Sequence, residues 1–103
     1  MQIAKEDLYA VLHVDISLSS RREIEEADQY IAIAKQLDNG EKDTLKAACK
    51  IGPLFDGDIP SKQARDSLVE KGLMAKVVVK GEQGYNAATY KGAWIFKLLE
   101  AGA

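Results

Sequence analysis

The chain has 103 residues and a net charge of −2, and 47% of its residues are hydrophobic against 29% that are charged. This length and balance indicate one globular domain with a core of modest size, and they exclude a chain that is disordered throughout. Its apolar runs are too short to span a bilayer, and the N-terminal residues lack the apolar core and cleavage site of a secretory signal. We therefore expect a cytoplasmic protein without a membrane partner.

The first predicted element is a short helix over residues 5–12, because Leu8, Val11 and Leu12 recur at helical spacing. Apolar and polar residues then alternate from Leu12 to Leu18, which is the period of a half-buried strand. Either a short edge strand or an extended linker fits this segment.

The clearest helix is predicted from Ser20 to Leu37. Ser20 and Glu23 have capping-box spacing, and Asn39-Gly40 supplies residues that tolerate a helix stop. Its apolar stripe has two interpretations, packing inside its own domain or a seam for a homodimer. The candidate dimerisation residues are Ile24, Ala27, Tyr30, Ile31 and Ala34.

A further helix is predicted over residues 43–51, and Gly52-Pro53 ends it because proline cannot continue the hydrogen-bonding pattern. Two prolines and two glycines in residues 52–60 then predict a turn, a short strand or a single helical turn. Ser61 is the predicted N-cap of the following helix, and Gly72 is its predicted stop. The exposed half of this helix is expected to carry Lys62, Gln63, Arg65 and Asp66.

The C-terminal part predicts a β-hairpin followed by a helix. Residues 74–80 favour a strand, and we expect a connecting loop that contains Gly81, Gly84 and Asn86 before the return strand through Ala88. Thr89 is placed to cap a last helix over residues 90–100.

Ser61, Lys62 and Arg65, followed by Leu68 and Gly72-Leu73, resemble the last helix of a winged helix-turn-helix domain, and residues 77–88 resemble its wing. The resemblance covers roughly residues 43–100. It implies an α+β fold, mainly helical, with a three-helix core and a β-hairpin wing. On this basis residues 41–103 form a winged-helix-like domain, and residues 1–40 form an N-terminal helical extension that is a possible dimerisation element.

The resemblance also implies a small DNA-binding protein, a transcriptional regulator that reads duplex DNA with the helix at 61–71 and the wing at 77–88. Arg or Gln can read bases in the major groove and Lys can neutralise phosphates. The candidate DNA contacts are Ser61, Lys62, Gln63, Arg65, Lys76, Lys80, Gln83, Tyr85, Asn86 and Lys91.

The distribution of charge agrees with this interpretation, since residues 1–59 sum to −5 and residues 60–97 to +4. A chance dipole is the alternative. The other functional class is a winged-helix-like module that binds protein without DNA, for example a phage or mobile-element accessory or structural protein, with Tyr85, Tyr90 and Trp94 as anchors. Interruption of the basic face by Asp66, Glu70 and Glu82 would favour that class.

We expect no enzymatic activity, metal or cofactor. A lone histidine, His13, has no nucleophile with an orienting group nearby in the sequence, and a lone cysteine, Cys49, excludes an internal disulfide and a cysteine-rich zinc site. Asp56 and Asp58 flank Gly57, but no third carboxylate follows at calcium-loop spacing.

Overall fold

A computed structural model describes residues 4–103. Over this range the fold is α+β, with five α-helices and one three-stranded antiparallel sheet. The elements in chain order are α1 (Lys5–Val11), α2 (Arg21–Gln36), α3 (Asn39–Ile51), β1 (Leu54–Phe55), a 3-10 turn (Asp56–Asp58), α4 (Lys62–Glu70), β2 (Met74–Val79), β3 (Glu82–Ala88) and α5 (Tyr90–Glu100). None of these helices is long and apolar enough to cross a bilayer.

The chain divides into two compact units. The first contains the residues up to Gln36 together with 94–103, and the second contains residues 37–93. Helix α5 contributes residues to both units.

In the first unit, α1 buries Leu8 and Tyr9. The Tyr9 hydroxyl donates a hydrogen bond to the Asp28 carboxylate, and Lys5 Nζ lies 3.1 Å from the same group. Helix α2 begins as predicted, because the Ser20 hydroxyl accepts from the Glu23 amide while the Glu23 carboxylate accepts from the Ser20 amide.

The segment that joins α1 to α2 forms turns, so neither the predicted strand nor an extended linker is present. Its conformation is set by short polar side chains. The Asp15 carboxylate accepts from the Ser17 amide at 2.9 Å, and the Ser19 hydroxyl accepts from the Asp15 amide at 2.9 Å. Such local bonds satisfy the backbone without a neighbouring strand.

The second unit begins with α3, which starts at Asn39. The prediction that Asn39-Gly40 stops a helix is wrong, because Asp38 and Glu41 form a capping box there. The Asp38 carboxylate accepts from the Glu41 amide at 2.7 Å, and the Glu41 carboxylate accepts from the Asp38 amide at 3.1 Å. These two hydrogen bonds stabilise the first turn, so Gly40 lies within the helix and does not end it.

The segment after α3 contains both β1 and the 3-10 turn, which confirms the prediction of a strand or a helical turn there. Strand β3 is central in the sheet, with β1 on one side and β2 on the other. Leu54 pairs with Asn86, and Asn86 pairs with Lys76.

The β2–β3 hairpin turns at Lys80-Gly81 alone. The predicted longer loop is wrong, because Gly84 and Asn86 lie within β3. Lys80 and Gly81 have φ values of 51° and 79°, and the positive values at both positions fit a type I′ turn, whose twist matches that of the strands.

The core of this unit is apolar and fully buried at Leu45, Leu68 and Leu73. Helix α5 begins against Leu73, and the Thr89 hydroxyl accepts from the Gly92 amide at 3.0 Å, which confirms the predicted cap. A Cβ on Gly92 would lie 2.0 Å from the Leu73 carbonyl oxygen, so this approach requires glycine.

Candidate nucleic-acid interface

The start of α4 exposes two of the predicted DNA contacts. Ser61 is the N-cap, and its hydroxyl accepts from the Ala64 amide at 3.1 Å. Lys62 and Gln63 occupy the first turn, and both are exposed. This turn therefore offers one cation and one amide side chain to a partner.

A groove of about 420 Å³ lies between the starts of α3 and α4. Ser61 and Gln63 line it from one side and Asp38 from the other. Asp38 and Ser61 already accept backbone amides of the two helices. Because these caps are already made, a ligand in the groove would meet side-chain groups such as the Gln63 amide. The negative charge of the Asp38 carboxylate disfavours binding of an anion there.

Arg65 does not lie on the exposed half of α4, contrary to the sequence expectation. Its side chain is only 11% exposed. Nη1 donates to the Asp56 carboxylate at 2.8 Å, and Nε donates to the Asp66 carboxylate at 2.7 Å. Two carboxylates therefore hold this guanidinium against the protein, where it cannot reach a base.

Asn86 is also internal, contrary to its predicted place at the wing tip. It is fully buried in the central strand, where its Nδ2 donates to the Leu54 carbonyl oxygen at 3.2 Å and to Asp56 at 2.8 Å. Its Oδ1 accepts from Arg65 at 3.4 Å. We call Asp56, Arg65, Asp66 and Asn86 the Arg65 cluster.

The cluster stabilises the charged form of Asp56. The hydrogen bond from Asn86 lowers the pKa of that carboxyl, and the nearby charges of Arg65 and then Lys76 lower it further against the opposing effect of burial. The cluster joins the 3-10 turn, α4 and the central strand, so its role is structural.

The hairpin retains most of its predicted contacts at the surface. Lys76, Lys80 and Gln83 are exposed. Lys76 pairs with Asn86 across the sheet, which places it on the strand face that also carries the Arg65 cluster. Lys80 stands at the turn.

The two remaining predicted contacts have less exposed surface. Tyr85 is half-buried, and its ring meets the Phe55 ring edge-on with centroids 5.5 Å apart. Lys91 is half-buried in the first turn of α5. Neither side chain is presented as openly as Lys62 or Lys80.

Acidic side chains interrupt the basic surface. Asp66 and Glu70 are exposed and follow Lys62 at intervals of four along α4, and Glu82 is exposed beside the hairpin turn. Lys71, at the end of α4, lies 2.5 Å from the buried Glu41 carboxylate. The exposed side of α4 is therefore mixed in charge.

The proposed dimerisation residues divide by burial. Ala27, Ile31 and Ala34 are buried within a single chain, with exposed fractions of 5% or less. Ile24 and Tyr30 keep partial exposure. The three buried side chains therefore have no surface to offer to a second chain, and only the edge of the stripe is accessible.

Among residues 4–103, no group of three or more His, Cys, Asp or Glu side chains is arranged to hold a metal ion. Cys49 is partly buried, and this burial raises the pKa of its thiol, which disfavours the reactive thiolate.

Comparison with known proteins gives no match to a family model, a curated protein or a solved structure. Inferences about function therefore depend on the residues described above.

Proposed function

We propose that the second unit is a winged-helix-like module that binds duplex DNA through the first turn of α4 and the β2–β3 hairpin. The order helix, strand, turn, helix and hairpin from α3 to β3 supports this, since it follows the winged-helix arrangement with the 3-10 turn in place of the middle helix. The observation that carries the proposal is the exposure of Lys62 and Gln63 on one element and of Lys80 on the other.

The contacts available favour phosphates over bases. Lys62, Lys76 and Lys80 can each neutralise a phosphate, and binding then gains free energy from the release of counterions. Gln63 is the side chain on α4 suited to read an adenine edge. Because Arg65 is held inside, we expect weak sequence discrimination and strong dependence on salt.

The test is a salt titration of binding to a mixed-sequence duplex, followed by fluorescence anisotropy. Three neutralised phosphates give a slope of log K against log salt of about −2.7. The double variant Lys62→Ala/Lys80→Ala should reduce the magnitude of the slope by about 1.8. Lys35→Ala, at an exposed lysine on α2, is the matched control and should leave binding unchanged.

A slope near zero for the natural chain, or an unchanged slope in the double variant, would overturn the DNA proposal. A second candidate, a protein-binding module, would then take precedence. The exposed Asp66 and Glu70 favour it, as do the exposed apolar side chains of Phe55 and Val78, which are 46% and 62% exposed.

A further inference from the structure

The turns between α1 and α2 hold two aliphatic side chains in solvent. Ile16 is 58% exposed and Leu18 is 85% exposed. The conformation is locally fixed, because Asp15 accepts from the Leu18 amide at 3.0 Å in addition to its bonds with Ser17 and Ser19. Exposed apolar area of this kind costs free energy that a partner would recover on covering it.

Ile16 lines a groove of about 430 Å³ within the first unit, and Leu18 follows it two residues later in the chain. Tyr9, Val14 and Ile16 give it an apolar lining, and Glu6 and Asp15 give it two carboxylates. The bonds from Ser17 lower the pKa of Asp15, so that its carboxylate is charged at neutral pH. The unit as a whole has eight Asp and Glu residues against five Lys and Arg residues.

The hairpin of the second unit displays the complementary pattern. Lys76, Val78 and Lys80 are all exposed on β2 and its turn. The strand register shifts between Val77 and Val79, and Val78 at this irregularity is 62% exposed. One chain therefore carries an acidic, apolar groove and a basic segment with an apolar residue at its centre.

We infer that the hairpin of one copy docks in the groove of a second copy, with Val78 against Ile16 and Leu18 and the two lysines against Glu6 and Asp15. Charge complementarity favours a second copy as the occupant. An apolar residue between two cations matches an apolar groove that carries two carboxylates, and the hairpin has this pattern. The contact joins two different surfaces. In a pair of copies, one therefore keeps a free groove and the other keeps a free hairpin for a further contact. The inference goes beyond the proposed function, but the two share Lys76 and Lys80 of the hairpin.

The test is sedimentation equilibrium at concentrations up to about 1 mM, where weak contacts become populated. The natural chain should associate, whereas Leu18→Asp and Val78→Asp should each be monomeric alone. An equimolar mixture of the two variants should form a one-to-one pair, because Leu18→Asp keeps the hairpin and Val78→Asp keeps the groove. Ile51→Asp, at a residue that is 75% exposed elsewhere, is the control and should associate normally.

Three results would overturn the inference: a monomeric natural chain, unchanged association in either single variant, or no pairing in the mixture. A symmetric dimer through α2 would give the second of these results. Circular dichroism checks that the variants are folded, which their exposed positions favour. Salt-dependent DNA binding by Leu18→Asp reports separately on the proposed function, since this variant keeps α4 and the hairpin.

Discussion

The Arg65 cluster and the tip of the β2–β3 hairpin lie in the same unit, and each contains a basic side chain. At the cluster the side chain is 11% exposed and is held by two carboxylates and an amide. At the tip Lys80 is exposed on a two-residue turn. The difference shows that a basic side chain predicted to lie at the surface can instead be held inside by carboxylates from other parts of the chain.

Glu41 presents the same situation with the opposite sign of charge. This carboxylate is 4% exposed and accepts from Lys71 at 2.5 Å and Ser67 at 2.9 Å. Burial alone would raise its pKa, but the hydrogen bonds from Lys71, the Asp38 amide and Ser67 outweigh it, and the pKa is lowered. Lys71 is 40% exposed, yet like Arg65 it is paired with a carboxylate of its own chain.

The largest expected effect is the loss of folding stability when the Arg65 cluster is disrupted. Arg65→Ala leaves Asn86 buried with fewer partners and Asp56 without its counterion. Because Asp56 and Asp66 are partly exposed, we expect a loss of about 2–3 kcal/mol in the free energy of unfolding, below the range for fully buried pairs.

Urea denaturation followed by circular dichroism measures this loss, with Lys62→Ala as the control that should stay within about 0.5 kcal/mol of the natural chain. A natural-like midpoint for Arg65→Ala would show that the cluster is not structural. Arg65 would then not differ from Lys80 in its contribution to stability.

The next effect is on the dependence of stability on pH. The folded-state pKa of Asp56 is lowered, so its contribution is complete above the ordinary aspartate pKa of about 3.9 and is lost as the pH falls through the folded value. Asp56→Asn removes this titration and should flatten the loss of stability below about pH 4.

The measurement is the urea midpoint across the acid range. Asp58→Asn, at an exposed residue of the same 3-10 turn outside the Arg65 cluster, is the matched control for removing one carboxylate. Equal slopes for the natural chain and Asp56→Asn would mean that the cluster does not stabilise the Asp56 charge.

The smallest effect is at the hairpin tip. Asparagine tolerates positive φ better than lysine does, so Lys80→Asn should stabilise the protein by about 0.5 kcal/mol. The same change should lower the magnitude of the DNA salt slope by about 0.9, since one phosphate contact is lost. Stability and binding would then move in opposite directions at the tip.

Thermal unfolding and the anisotropy titration give the two readings. Lys80→Ala is the control, because it removes the charge without the preference for positive φ. An unchanged salt slope in both variants would place the tip outside the DNA surface.

Signals that act over a few residues were sufficient to predict much of the fold. Ser20, Ser61 and Thr89 cap their helices as their spacing predicts, and Gly72 ends α4 with a φ of 77°. At the start of α3 two local signals conflict, because Asp38 and Glu41 have the spacing of a capping box whereas Asn39-Gly40 favours a helix stop. The capping box determines the structure.

The interior position of Arg65 could not be predicted in the same way. Its partners Asp56 and Asn86 lie 9 and 21 residues away in the chain, and they meet it only when the sheet has formed. A pattern that repeats along one helix contains no information on such a pair. The sequence therefore indicates which basic side chains lie on α4 and the hairpin, but it does not indicate that Arg65 is held inside.

The most direct test of the DNA proposal is a two-dimensional ¹H–¹⁵N NMR titration of the protein with a mixed-sequence duplex. We expect shifts at Lys62, Gln63 and residues 76–83, with the Arg65 side-chain Nε–H signal protected from solvent and unmoved. Shifts confined to the first unit, or a displaced Arg65 Nε–H signal with a silent hairpin, would contradict it.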